Sequence, residues 1–154
     1  MTEIDAARQV FSANQRFYEA FESLDIRRMA AVWRQDGGVQ CIHPGWPRLT
    51  GWRAVRDSWV RIFNHTRSMR FRITDVKITV TGSIAWVVCA ERIETVIDDE
   101  PQESQVLATN LFVRSDEHPE EAFWLMVHHH GSPVLQRLPD TPDADDAADQ
   151  ENGN

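Results

Sequence analysis

The stretch Phe123–Pro133, FWLMVHHHGSP, is an apolar run that ends in three consecutive histidines before a Gly-Ser-Pro stop. Its length and composition predict a buried β-strand. A strand alternates its side chains between two faces. Regular alternation predicts one face with Trp124, Met126, His128 and His130, and another with Leu125, Val127 and His129. Either face can be the inner one, so His129 is the alternative inward residue.

Three long strands are predicted upstream of this stretch, where the apolar period changes from helical to alternating. They lie near Arg70–Val80, Ile84–Ile97 and Glu103–Arg114. A tight turn signal and short polar segments connect them, which predicts an antiparallel meander. A shorter strand, Val39–His43, is predicted earlier, before a Pro-Gly-Trp-Pro turn.

The first half of the chain predicts three helices. Apolar residues recur at steps of three and four over Asp5–Ser23, which indicates a helix with an aromatic stripe. Asp25 is placed to cap a short second helix, and the third covers Trp52–Phe63. Helices followed by an antiparallel sheet are the α+β pattern, with the helices packed on one face of the sheet.

The chain of 154 residues suits a single domain, expected over residues 1–137. The net charge of −8 argues against nucleic acid or an anionic membrane as the main partner. Much of that charge lies in an acidic segment, 138–154, which is expected to be disordered. Cys41 and Cys89 are read as buried free thiols. With no charged and apolar leader at its start, the chain is expected to be cytoplasmic.

The order of elements, with IHPGWP…GW at Ile42–Trp52 and WLMVHHHGSP at Trp124–Pro133, resembles the SnoaL-like branch of the nuclear transport factor 2-like superfamily. The resemblance covers roughly Glu3–Leu135. It implies a curved sheet wrapped around three helices into a cone, a pocket at the open end, a homodimer formed through the outer sheet face, and metal-free chemistry. The superfamily holds both enzymes and binding domains, so the resemblance does not specify a reaction.

The ketosteroid isomerase members of the superfamily suggest roles for particular residues. His43-Pro44 is similar in position to their acid-proline pair, which implies that His43 is a general base. Asn110 falls where they carry a protonated aspartate, which implies a donor to an enolate oxygen. The tyrosine expected on the first helix falls on Phe17, with Tyr18 one position aside. The aromatic residues expected to line the pocket are Trp46, Phe17, Tyr18 and Trp59.

Three further polar residues complete the candidate catalytic set, and each has more than one interpretation. Glu91 lies in an apolar strand, so it is either a functional acid or base, or paired with an arginine of a neighbouring strand. His128 and His130 either line the pocket or form hydrogen bonds within the sheet. They could also bind a metal if His43 or Glu91 supplied a third ligand.

Two functions follow from these residues. The first is a cofactor-free acid–base enzyme, of isomerase, cyclase or dehydratase type, acting on a small apolar carbonyl compound. In it His43 is the base, Asn110 stabilises the enolate, and Glu91 or a C-terminal histidine returns the proton. The second is a non-catalytic domain for small-molecule binding or self-association. The partners expected are a second copy of the chain and a small apolar, carbonyl or carboxylate ligand. A wet cavity with converging polar groups would favour the enzyme.

Overall fold

The structure is a computed structural model that describes residues 2–117 and 123–135. Its helices are α1 (Glu3–Ser23), α2 (Ile26–Val32) and α3 (Trp52–His65). Thr2 and Asp5 form a capping box at the start of α1, and Asp25 caps α2 as predicted. Among the described residues, no helix is long and apolar enough to cross a membrane. The expected acidic tail and the expected domain boundary near residue 137 lie outside the described residues.

Within residues 2–117 and 123–135 the strands form one six-stranded sheet in the order β2-β1-β6-β5-β4-β3. Their bounds are β1 Gln40–Ile42, β2 Leu49–Thr50, β3 Ser68–Thr81, β4 Ile84–Ile97, β5 Glu100–Ser115 and β6 Phe123–Pro133. Strands β3 to β6 form the predicted antiparallel meander, while β1 pairs with β6 in parallel. The two-residue β2 was not predicted, because it is too short to show a period.

The helices pack on the concave face of this curved, unclosed sheet, which gives the α+β fold that the sequence pattern predicted and the cone that the family resemblance implied. The largest fully buried side chains include Phe17 of α1, Trp59 of α3, Phe112 of β5 and Met126 of β6. The ring centroids of Phe17 and Trp59 are 5.9 Å apart, so aromatic contacts connect the two helices above the sheet. The inner face of each strand therefore decides which polar groups enter the core.

A β-bulge in β6 decides which histidine faces the core. Phe112 of β5 pairs with Met126, but Leu111, the residue before Phe112, pairs with His128. Val127 is therefore an extra residue in β6. The bulge shifts the alternation by one residue. Trp124, Met126 and His129 are buried, whereas His128 is half-buried and His130 is exposed on the outer face. The prediction that His128 and His130 share a face with Trp124 and Met126 is therefore wrong.

Candidate functional site

Polar side chains from four elements meet inside the core, although apolar side chains are usually found there. Asn14 and Tyr18 come from α1, Glu91 from β4, Asn110 from β5 and His129 from β6. Each of them is at most 4% exposed. Burial of this kind is costly unless the groups bond to one another, so their partners determine what the cluster can do.

Hydrogen bonds join these five side chains into one network, called here the core polar cluster. The Nδ1 atom of His129 lies 2.6 Å from Oδ1 of Asn110. The Nδ2 group of Asn110 donates to Oδ1 of Asn14 at 2.9 Å and to the Tyr18 hydroxyl at 3.1 Å. The Tyr18 hydroxyl in turn donates to Oε2 of Glu91. Asn110 is therefore the centre of the cluster, and Tyr18 is the connection between Asn110 and Glu91.

Burial shifts the pKa values of the cluster toward the uncharged forms. It raises the pKa of Glu91 to about 7, although the hydrogen bond from Tyr18 partly opposes this shift. It also raises the pKa of Tyr18, with a further contribution from the charge of Glu91. Burial lowers the pKa of His129, with smaller effects from neighbouring histidines. Glu91 is thus the member of the cluster that can gain and lose a proton near neutral pH.

The partner of Glu91 is a hydroxyl group rather than the guanidinium considered from the sequence. Arg92, the next residue along β4, points to the outer face and forms an ion pair with Glu103 at 2.6 Å. Cys89, two residues before Glu91, faces inward, with its sulfur 3.4 Å from the Tyr18 hydroxyl. The charge of Glu91 is therefore stabilised by a neutral hydroxyl group and not by a cation.

A cavity of about 270 Å³ lies between α1 and β3 and reaches the core polar cluster. We refer to it as the α1–β3 cavity. Its lining residues are Phe11, Asn14, Gln15, Tyr18, Glu19, Glu22, Phe71, Ile73 and Val76. Because Asn14 and Tyr18 belong both to this lining and to the cluster, a ligand in the cavity would lie directly against the hydrogen-bond network.

His43 is buried at the end of β1, outside the lining of the α1–β3 cavity. Its Nε2 atom lies 2.8 Å from the hydroxyl oxygen of Ser58, and that hydroxyl donates to the backbone carbonyl of Val55 at 2.6 Å. The Ser58 proton is thus already used, so His43 donates through Nε2 and keeps Nδ1 as its basic atom. Burial lowers the pKa of His43 to about 4, which makes the imidazole uncharged at neutral pH.

The predicted aromatic pocket residues have different environments. Phe17 and Trp59 are fully buried in the core, and their rings contact the His129 ring at centroid distances of 4.9 and 6.1 Å. Trp46 is half-buried and packs against His43, with ring centroids 4.9 Å apart. Of the four aromatic residues expected to line the pocket, Tyr18 is the one that lines the α1–β3 cavity.

The outward position of His128 and His130 removes the metal site considered from the sequence. Their rings are 6.4 Å apart on the outer face, whereas the proposed third ligands, His43 and Glu91, are buried on the inner side. The described residues contain no group of three or more His, Cys, Asp or Glu side chains able to hold a metal ion. His129, the alternative inward histidine, is the one that joins the polar network.

Sequence reasoning missed Asn14 and Ser58 as members of polar contacts in the core. Asn14 does leave a signal, because it is the polar residue within the otherwise apolar stripe of α1. A polar side chain in such a stripe must find a buried partner, and Asn110 is that partner here. Ser58 shows no comparable signal, because serine is common on the exposed faces of helices.

Comparisons with known proteins agree with this fold. The family model described as a SnoaL-like domain matches residues 10–136. A candidate dehydratase of the NTF2-like family from Streptomyces avermitilis has a solved structure that is similar with a TM-score of 0.80 and 36% sequence identity. The similarity covers 88% of this chain and 100% of that one.

Two other relatives have different functions in their names. A candidate association domain of calcium/calmodulin-dependent protein kinase type II from Thiobacillus denitrificans is similar with a TM-score of 0.68 and 32% identity, over 80% of this chain and 93% of that chain. The F-box protein SKIP8 of Arabidopsis thaliana is 28% identical over 128 residues, which is 83% of this chain. The chain spans about half, 51%, of the length of that curated relative.

Proposed function

The chain belongs to the SnoaL-like domain family, and we propose that it is a cofactor-free acid–base enzyme acting on a small apolar carbonyl compound. The observation that carries this proposal is the contact between the core polar cluster and the α1–β3 cavity. A core built for packing alone has no need of five buried polar groups. An acid–base site does need them, because it must hold a proton donor next to a ligand.

Tyr18 is the proposed donor to the carbonyl or hydroxyl oxygen of the ligand, and Glu91 supplies its proton. When Glu91 is protonated, its O–H group donates to the Tyr18 oxygen, and the Tyr18 hydroxyl proton is then free to point toward the cavity. When Glu91 is ionised, it holds that proton in the hydrogen bond now present. Asn110 fixes the position of the Tyr18 oxygen through its 3.1 Å hydrogen bond. The relay serves isomerisation, cyclisation or dehydration, since an enolate oxygen needs a hydrogen-bond donor in the first two reactions and a leaving hydroxyl group needs a proton in the third.

His43 keeps its role as the general base in this proposal on the strength of the family resemblance. Burial lowers the pKa of His43 to about 4, so the imidazole is uncharged at neutral pH but is a weaker base than an ordinary histidine. The His43 ring lies 6.4 Å from the ring of His129, and His43 is outside the lining of the α1–β3 cavity, so this role requires a ligand that extends beyond that cavity. The donor and the base are therefore separate parts of the proposal, and each is tested by its own variant.

Exchange of α-protons tests the donor without knowledge of the natural substrate. The protein is incubated in D2O with acetophenone, propiophenone or cyclohexanone, and loss of the α-proton signal is followed by NMR. We expect exchange above the buffer rate, and a decrease of about 100-fold in Tyr18→Phe, because that substitution removes one donor to the enolate oxygen. Glu94→Gln, on the outer face of β4, is the matched control and should leave the rate unchanged. No exchange with any ketone, or equal rates for wild type and Tyr18→Phe, would contradict the proposal.

A second candidate function, self-association without catalysis, is favoured by the outer face of the sheet. Ile84, Trp86 and Val88 of β4 and Leu107 of β5 are between 37% and 54% exposed there. Such an apolar surface suits a homodimer, and a solved relative carries the name of an association domain. Light scattering should give a dimer for wild type and a monomer for the double variant Trp86→Glu/Leu107→Glu. A monomeric wild-type protein would remove this candidate.

A further inference from the structure

The charge at the α1–β3 cavity indicates which carbonyl compounds it takes. We infer that the cavity selects a small apolar carbonyl compound that carries a cationic amine, and that it excludes compounds carrying a carboxylate or phosphate. This inference rests on the proposed function only in that the ligand is taken to be a carbonyl compound. The choice of charge follows from the lining residues and is tested by binding, without any turnover.

The size and the walls of the cavity define the apolar part of the ligand. Its volume of about 270 Å³ lies near the lower end for small-molecule sites, which suits a ligand with a single ring. Phe11 and Phe71 supply aromatic surface, and Ile73 and Val76 supply aliphatic surface. The ring centroids of Tyr18 and Phe71 are 5.2 Å apart, so the inner part of the cavity has two adjoining aromatic rings.

The charged groups of the lining are both acidic. Glu19 and Glu22 lie three residues apart on α1 and are exposed on the same side of the helix, and none of the described residues lining this cavity is Lys, Arg or His. Oε1 of Glu22 accepts a hydrogen bond of 2.7 Å from the backbone N–H of Phe71, which holds the Glu22 carboxylate at the cavity. Two carboxylates beside aromatic rings are the groups that attract an ammonium ion.

The nearest arginines in the sequence do not alter this balance. Arg70 and Arg72 flank Phe71 in β3, and because strand side chains alternate, they lie on the outer face while Phe71 lies on the inner one. On that outer face Arg70 is directly opposite Glu94 of β4 in the strand register. An anionic ligand in the cavity would therefore face two carboxylates and no described basic residue of the lining.

Three ligands with one scaffold and different charges test this inference. Acetophenone is neutral, 4-(aminomethyl)acetophenone is cationic and 4-acetylbenzoate is anionic at pH 7. NMR titration of the wild-type protein should give an affinity for the cation at least about fivefold higher than for acetophenone, and an affinity for the anion at least about fivefold lower. Added salt should reduce both differences, because the two carboxylates are exposed.

Two variants locate the effect. In the double variant Glu19→Gln/Glu22→Gln the three affinities should converge, because glutamine carries no charge, and Glu94→Gln should behave as wild type. Val76→Trp should fill the cavity and weaken all three ligands. Equal affinities in wild type, a preference for the anion, no binding of any ligand, or an unchanged preference in the double variant would each overturn the inference. A confirmed charge preference without α-proton exchange would count against the proposed function alone.

Discussion

Replacing Glu91 by glutamine should change how the stability of the protein depends on pH. Burial raises the pKa of Glu91 from 4.5 to about 7, so the folded protein keeps a proton that the unfolded chain has already lost between these values. The stabilising effect of that proton is complete below pH 4.5 and is lost as the pH rises through 7. Glutamine has nearly the same shape and still accepts the Tyr18 hydrogen bond, but it does not titrate.

The size of the effect follows from the pKa difference. Each pH unit between 4.5 and 7 should lower the free energy of unfolding of wild type, relative to Glu91→Gln, by about 1.4 kcal/mol. By pH 8 the variant should have gained about 3 kcal/mol on wild type compared with pH 4.5. The new amide N–H₂ group can add a constant offset at all pH values, and such an offset leaves the slope unchanged.

Comparison of the two proteins is needed because histidines act in the opposite direction. Burial lowers the pKa of His43 from 6.5 to about 4, so the unfolded chain takes up a proton below pH 6.5 that folded His43 does not. This destabilises the protein as the pH falls, and it masks the Glu91 effect in wild type. The histidine contribution cancels in the difference between wild type and Glu91→Gln.

Urea unfolding followed by tryptophan fluorescence measures this difference at half-unit steps from pH 4.5 to 8, at one protein concentration throughout. Glu94→Gln is the control, and an exposed substitution of this kind should stay within about 0.5 kcal/mol of wild type. A difference between wild type and Glu91→Gln that does not vary with pH, or that favours wild type increasingly toward pH 8, would refute the assignment of a raised pKa to Glu91.

Four other substitutions test separate parts of the structure. His43→Ala should abolish α-proton exchange while Ser58→Ala, which removes only the partner of His43, should retain most of it; equal rates in His43→Ala and wild type would remove His43 as the base. Gly131→Ala should lower the free energy of unfolding by about 1–3 kcal/mol, since an added Cβ would lie 2.9 Å from Cγ of Pro44, and a variant as stable as wild type in urea would contradict that contact. Asp25→Ala should cost about 1 kcal/mol by loss of the α2 cap, measured in the same way, and no change would show that the cap is dispensable.

The elements of the fold were predictable from the sequence because their signals are local. The aromatic stripe of α1 repeats every three or four residues, and Asp25 marks the start of α2, so both signals can be recognised within a few residues. The alternation in β3 to β5 extends over more than ten residues in each strand, so their existence and pairing order followed from the pattern. The parallel pairing of β1 with β6 joins residues almost ninety positions apart, for which no local pattern exists.

The candidate site was predicted in part, because sequence gives residue types more reliably than directions. Glu91 was identified as a polar residue in an apolar strand and Asn110 through the resemblance to ketosteroid isomerases, and both are in the core polar cluster. Alignment with ketosteroid isomerases placed the expected tyrosine at Phe17, but a step of about 100° around α1 separates positions 17 and 18. That step turns Phe17 toward Trp59 and His129 and gives the Tyr18 hydroxyl the contact with Asn110.

The faces on which the β6 histidines lie depend on a bulge that the apolar run does not reveal. One residue near the bulge nevertheless indicates which histidine faces the core. Gly131 lies two positions after His129 on the same inner face, where Pro44 and Val106 leave no room for a Cβ. Glycine is required in a strand where another part of the backbone or a side chain approaches closely. Such a glycine therefore helps to assign the faces of a strand. If position 131 faces the crowded inner side, position 129, two residues earlier, must face it too. That reasoning assigns His129 to the core and leaves His128 and His130 to the outer face.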